Sequence, residues 1–304
     1  MSLILLYMKT VGTLGNNKIL IAGCGYIGKR LFAALPEITQ ISGLVRSQGS
    51  YEELQQLGLN ALGCDLSAAV EIPLPTADAQ VYYLLPPPKK GVVDSNLQHF
   101  IQSFAENGHP QRILYLSTTG VYGNCEGAWV DETRQPNPQV DRAKRRYDAE
   151  LQLRAWAAAN GKELVIIRVA GIYGRGKLPL ARLQAGKPMI AAQSAPWTNR
   201  IHADDLVQVC HKAMALGRHG EIYNVTDGQP GNMADYFNQV ADMAGLPRPP
   251  VISARSAKEQ LSAGLLSYLA ESRRIDNRKM LEELQVKLRY PNLEQGLRAC
   301  FSDQ

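Results

Sequence analysis

The residues whose types and spacing speak most directly of chemistry are the glycines of Gly23-Cys24-Gly25-Tyr26-Ile27-Gly28. They follow an apolar run, Ile19-Leu20-Ile21-Ala22, and pass straight into helix-forming residues, so a strand is expected to turn sharply into a helix. In that setting Gly23 allows the tight turn, Gly25 lets a pyrophosphate approach bare backbone, and Gly28 lets the helix pack closely on the strand. The exposed amides over Gly23–Gly28 then face a dianion at a helix N-terminus.

About twenty residues further on, at the end of the second strand, dinucleotide sites that take NAD place a carboxylate on the ribose hydroxyls. Here Ile41-Ser42-Gly43-Leu44-Val45 ends in Arg46-Ser47, a cation and a hydroxyl that suit a 2′-phosphate. The expected cofactor is therefore NADP, with NAD the lesser fit. Arg30, one turn into the first helix, is a second phosphate partner or a surface charge.

The elements that must position these groups alternate. Strands are expected at 60–64, 79–85, 112–117, 163–168 and 221–225, with helices at 51–57, 92–107 and, most clearly, 141–160 closed by Gly161. Such βαβ units imply an α/β fold, a doubly wound Rossmann-type parallel sheet with helices on both faces. Composition shifts after Gly171-Ile172-Tyr173-Gly174, which suggests an N-terminal extension at 1–17, a nucleotide-binding domain at 18–170 with a further strand near 221–225, and a smaller C-terminal α/β substrate lobe mainly at 171–304.

At 304 residues, 45% hydrophobic and 20% charged, the chain can bury a substantial core. A net charge of +5 with mixed signs argues against nucleic acid as a partner, and leaves room for anionic small molecules. Five dispersed cysteines without a Cys-x-x-Cys pair or suitable histidine spacing argue against zinc and for a reduced, cytoplasmic set of thiols. The apolar Leu3–Met8 is too short for a signal segment, so neither targeting nor a membrane partner is expected. The expected partner is a small-molecule substrate, and a homodimer is compatible with the sequence.

Six landmarks stand in order: Gly23-x-Gly25-x-x-Gly28; Asp65-Leu66; Ser117-Thr118-Thr119-Gly120-Val121-Tyr122-Gly123; Arg168-Val169-Ala170-Gly171-Ile172-Tyr173-Gly174; Ile201-His202-Ala203-Asp204-Asp205-Leu206; and Lys279-x-x-x-Glu283-Leu284 followed by Glu294-Gln295-Gly296-Leu297. Over nearly the whole chain this series resembles the extended short-chain dehydrogenase/reductase family, in its NAD(P)-dependent sugar-nucleotide epimerase/dehydratase branch. The resemblance implies that Gly23, Cys24, Gly25, Tyr26, Ile27 and Gly28 hold the pyrophosphate, and that Arg46 and Ser47 hold the adenosine phosphate. Asp65 and Leu66 would hold the adenine. Leu85 and the run Pro86-Pro87-Pro88 stand at the carboxyl edge of the fourth strand, where a rigid loop would shape the nicotinamide-ribose pocket or equally form a proline-capped turn.

The family's chemistry uses a Ser or Thr to orient the substrate oxygen, a Tyr to move the proton, and a Lys four residues later to lower the phenol's pKa and bind the ribose. Matching places Thr118 in the first role and Lys144 in the last, with Val140 where the tyrosine stands in the family. Lys144 is alternatively a solvated member of the basic run. A valine moves no proton, so water, Tyr122 or a substrate group must supply it. Thr198 stands where nucleotide-sugar members often carry a diphosphate-binding arginine, with Arg200 two residues off. His202 is expected to brace the fold, and Asp204 or Asp205 to cap a helix starting near Leu206. Three functional readings follow: an NADP-dependent oxidoreductase of the extended type acting on a small carbonyl or alcohol without the usual tyrosine; a redox-silent NADP-binding sensor or scaffold; and a nucleotide-sugar epimerase or dehydratase.

Overall fold

The computed structural model describes residues 18–35 and 40–302. The expectations for residues 1–17, Leu3–Met8 included, lie outside the described residues. Elements run β1 (Ile19–Ala22), α1 (Tyr26–Ala34), β2 (Ile41–Val45), α2 (Gln48–Gln56), β3 (Asn60–Gly63), β4 (Gln80–Tyr83), α3 (Ser95–Gln102), β5 (Arg112–Thr118), α4 (Asp141–Asn160), β6 (Glu163–Val169), α5 (Ala203–Leu216), β7 (Ile222–Val225), α6 (Met233–Met243) and α7 (Leu293–Phe301). Shorter elements are named by their residues.

The seven strands form one parallel sheet in the order β7-β6-β5-β4-β1-β2-β3. Strand order reverses between β1 and β4, and at such a switch point the carboxyl ends of two neighbouring strands open a crevice. β1, β2 and the central residues of β4, β5 and β6 are buried almost without interruption, as a sheet covered on both faces requires. One face is sealed by Leu97, Phe100, Phe104, Leu153 and Trp156. The helix expected at 92–107 is divided at Ser103, whose hydroxyl donates to the Phe100 carbonyl (2.7 Å), and it starts only at Ser95 behind the buried cap Asp94.

The other face is sealed by Ile27 and Leu31 of α1 and by Leu206, Val209, Cys210 and Ala213 of α5, with Met280, Leu284 and Val286 added from near the C-terminus. Residues beyond 170 thus supply an edge strand and much of one core face to the sheet. A separate apolar cluster joins Tyr173, Leu183, Met189, Phe237, Val240 and Leu297. Between it and the sheet lies the parallel pair Gly171–Tyr173 and Arg200–His202. Among the described residues no helix is long and apolar enough to cross a membrane, and no group of histidine, cysteine and carboxylate side chains is placed to hold a metal ion.

Candidate functional site

The glycine turn lies at the switch point. Gly23 has φ +95°, and a Cβ on it would stand 2.8 Å from the Leu85 amide nitrogen, so the β1–α1 turn and the chain leaving β4 are pressed backbone to backbone. A Cβ at Gly28 would meet the Gly23 carbonyl at 2.9 Å. At Gly25 a Cβ would meet nothing within 4 Å, and the residue is exposed. Two glycines are therefore required by the protein itself, while the third leaves open space. Gly25 is the N-cap of α1, with no side-chain cap, so the first-turn amides have no intrahelical partner. Bare backbone, open space and unpaired amides together fit a dinucleotide pyrophosphate. Cys24 and Ile27 face the core, where burial pushes the Cys24 thiol up to about 12. The Cys24 amide donates to the Leu44 carbonyl (3.0 Å), so of these two residues Ile27 is the one with a first-turn amide to offer, and both side chains are packing.

Around the rim the expected residues divide. Arg46 is exposed at the end of β2 and makes no hydrogen bond or ion pair among the described residues. Ser47 caps α2, accepting from the Ser50 amide (3.3 Å). Asp65 is exposed and accepts from the Ser67 amide (3.0 Å), which holds its carboxyl below the usual range. The Leu66 side chain is buried in the core. Arg30 is drawn the other way: its guanidinium stacks on the Tyr26 ring at 3.9 Å and lies 3.6 Å from Asp204, so it serves the α1–α5 contact instead of a phosphate at Arg46. The Tyr26 hydroxyl donates to the Arg175 carbonyl (2.9 Å).

The orientation of α4 decides what faces the sheet's carboxyl edge. Glu150 is 1% exposed. It accepts from Ser117 Oγ (2.5 Å) on β5 and from Arg168 Nε (3.1 Å) and Nη2 (2.7 Å) on β6. Arg168 also lies under the Tyr122 ring at 4.8 Å, and its pKa is raised by its bonds to Glu150 against the opposing pull of burial. A helix pinned at Glu150 turns positions 146 and 142, four and eight residues earlier, toward the same side.

There a cleft of about 660 Å³ opens, lined by Pro87, the segment Leu116–Gly120, Arg142, Ala143 and Arg146 on one side. Val169–Tyr173, Trp197–Arg200, Met233, Tyr236, Phe237, Leu265, Tyr268, Glu271 and Arg273 line the other. Thr118 ends β5 in this lining, and its hydroxyl oxygen accepts from the Gly120 amide (3.1 Å), leaving its O–H free to donate.

Val140 and Lys144 are not in the lining, which corrects the expected pairing. Val140 precedes the helix as its N-cap with φ −99° and ψ 147°, and Lys144 is exposed with its ammonium 3.8 Å from Asp141. The i, i+4 pair that lines the cleft is Arg142 and Arg146. Tyr122 is likewise not brought to the cleft: it is 1% exposed, its hydroxyl donates to Asn224 Oδ1 (2.8 Å), and burial pushes it up to about 12. The sequence carried a signal for the true face, charged residues at 142, 146 and 150 at helical spacing above the apolar Ala149 and Leu153.

The guanidinium groups of the cleft are held differently. Arg142 Nη1 donates to Ser267 Oγ (2.6 Å) and its Cζ lies 4.1 Å from the Tyr268 ring centroid. Arg146 Nη1 donates to the Leu85 carbonyl (2.9 Å) and to the Tyr115 hydroxyl (3.4 Å). Arg200 is buried, stacks over Tyr236 at 4.4 Å and donates to the Asn232 carbonyl (3.3 Å). Arg273 is paired with the buried Glu271 (2.8 Å). Thr198 donates to the Gly231 carbonyl (3.1 Å). Four guanidiniums against one carboxylate make the lining electropositive.

His202 caps α5, which starts at Ala203. Its Nδ1 accepts from the Asp204 amide (3.2 Å), so neither Asp204 nor Asp205 is the cap. Asp205 is buried and accepts from the amides of Arg289 and Tyr290 (2.7 and 3.0 Å). With Nδ1 an acceptor, the neutral ring carries its proton on Nε2, which faces Cys300 Sγ at 3.6 Å. That nitrogen cannot take the thiol's proton, and burial lifts the thiol to about 11, so this Cys–His contact is not an activated nucleophile.

Residues 92–226 match the model of the NAD dependent epimerase/dehydratase family. The chain is 26% identical over 290 residues to Protein YeeZ of Escherichia coli K12, covering 90% of this chain and 97% of that protein. A solved structure described as a functionally unknown conserved protein from Silicibacter pomeroyi is 31% identical with a TM-score of 0.79, covering 93% of this chain and 98% of that one. UDP-glucuronic acid 4-epimerase from Bacillus cereus, solved in complex with NAD, shares the fold with a TM-score of 0.72 at 17% identity, over 93% of this chain and 96% of its own.

Proposed function

Because the chain belongs to the NAD dependent epimerase/dehydratase family, within the extended short-chain dehydrogenase/reductases, we propose that it is an NAD(P)-dependent oxidoreductase acting on a small, negatively charged carbonyl or alcohol substrate. The observation that carries this reading is the junction of a glycine-built crevice with an arginine-lined cleft at the carboxyl edge of one sheet. When bound, a nicotinamide coenzyme supplies or accepts hydride. The chain's own part is to seat the pyrophosphate on the first-turn amides after Gly25, to offer the Thr118 hydroxyl to the substrate oxygen, and to neutralise substrate charge.

The adenosine end favours NADP, since Arg46 stands exposed where a 2′-phosphate would be neutralised, with no ion pair within 4 Å among the described residues and only the field of Asp65 acting on it. Solved relatives of the same fold hold NAD, so the choice is tested directly by titrating the protein with NADPH and NADH and following coenzyme fluorescence. Tighter NADPH binding, lost in Arg46→Ala, supports the assignment, and equal or tighter NADH binding removes it. Hydride exchange with a panel of oxo acids and sugar phosphates tests turnover.

A second reading is a redox-silent NADP-binding sensor, favoured by Arg142 and Arg146, which line the cleft at the i, i+4 spacing and move no proton. Tight binding that distinguishes NADP from NADPH, with no exchange against any of the panel, selects it.

A further inference from the structure

Arg142 and Arg146 lie one turn apart on the face of α4 that is turned to the cleft by the buried Glu150–Arg168 pair. The family resemblance puts a proton-moving phenol and an ammonium at such a spacing, whereas a guanidinium stays charged at any physiological pH and moves no proton. Both side chains are pre-positioned by neutral partners: Ser267 Oγ and the Tyr268 ring for Arg142, the Leu85 carbonyl and Tyr115 hydroxyl for Arg146. No carboxylate comes within 4 Å of either one among the described residues; the buried Asp94 carboxylate acts on Arg146 from further away, and Arg142 has no such neighbour among the carboxylates described. Arg168 and Arg273, by contrast, are each matched with a buried carboxylate. Two forks in the same cleft lining as the free hydroxyl of Thr118, with their remaining N–H groups unclaimed, are complementary to a planar oxyanion.

We propose that Arg142 and Arg146 are a docking pair for a carboxylate one bond from the reacting carbon, which makes the substrate a 2-oxo acid or the matching 2-hydroxy acid. The assignment rests on the oxidoreductase reading of the same site and narrows it. A neutral carbonyl would leave the half-buried Arg142 guanidinium without a charged partner and Arg146 with only the distant Asp94, and a 2-oxo acid sets its charge next to the oxygen that Thr118 receives. Arg142 and Arg146 act here as binding residues, and Thr118 orients the oxo group.

The test uses oxamate, a non-reactive isostere of a 2-oxo acid, titrated calorimetrically into the full chain alone and into the chain saturated with NADH or NADPH. Binding is expected in the unaltered protein, weakened about tenfold or more in Arg142→Gln and in Arg146→Gln and partly kept in Arg142→Lys and Arg146→Lys, with acetamide not binding. Melting temperature and coenzyme affinity of each variant, measured alongside, separate lost docking from lost folding, and the lysine variants carry the comparison if a glutamine variant does not fold. Oxamate affinity that ignores all four substitutions overturns the proposal. So does a protein that binds coenzyme but not oxamate, or that binds inorganic phosphate more tightly than oxamate with the same arginine dependence. If neither coenzyme binds but oxamate binds in an arginine-dependent way, the carboxylate site stands and the redox reading falls.

Discussion

At the β1–α1 turn the ligand-facing surface is backbone, drawn from residues 19–28. At the cleft it is mostly side chain, drawn from segments near 87, 118, 142–146, 170, 198–200, 235 and 265–273. The first surface is set by which residues lack a Cβ. The second is set by how distant elements are rotated against each other, and by one buried ion pair that fixes the rotation of α4. A local surface can fail only at a few positions and fails steeply there. An assembled surface depends on supports that never touch the ligand.

The sharpest way to break the assembled surface is through its hidden support. Glu150→Gln leaves Arg168 buried against a neutral partner, and urea unfolding should show a loss of about 3–5 kcal/mol. An unchanged midpoint would mean that α4 is oriented by packing alone. Next in size is the local surface: Gly23→Ala forces an L side chain to φ +95° against the Leu85 backbone, costing about 2–4 kcal/mol in the same experiment, and should remove coenzyme binding.

A pH prediction sharpens the cleft side. Burial near Arg200 lifts the Asp227 carboxyl to about 6, so between that value and the ordinary carboxylate range the native protein binds a proton that the unfolded chain does not. This group therefore makes the protein more stable as pH falls from above 6 toward 4. Asp227→Asn keeps the oxygen that accepts from the Gln229 amide (3.0 Å), should add about 1–3 kcal/mol at pH 8, and should flatten that part of the stability profile. Smallest is Gly25→Ala, whose Cβ meets only open space: melting should move little, while coenzyme affinity falls about tenfold, a loss of about 1.4 kcal/mol. Equal losses of stability at Gly23 and Gly25 would dissolve the distinction between a glycine the fold needs and one a ligand needs.

These differences explain what could be read in advance. The strand-turn-helix at Gly23–Gly28, the 20-residue α4 ending at Gly161 and the run of βαβ units follow from local spacing, and they stand in the structure where the residues place them. The rotation of α4 is not local. It is decided by Ser117 and Arg168 on two strands, so matching by motif put Val140 and Lys144 at a site to which the structure brings Arg142 and Arg146. The cap of α5 was misplaced for a similar reason: Asp205 is claimed by the amides of Arg289 and Tyr290, more than eighty residues away, and His202 takes the capping role.

The core that begins with Ile19 is completed by Val225, Met280, Leu284 and Val286. On a ribosome, the glycine turn is therefore spelled out long before it is secured, because one face of its sheet lies bare until the segment carrying Met280, Leu284 and Val286 has been made. A nascent chain stopped near residue 170 would carry an unpaired edge at β6 and an uncovered apolar face, the kind of surface chaperones hold.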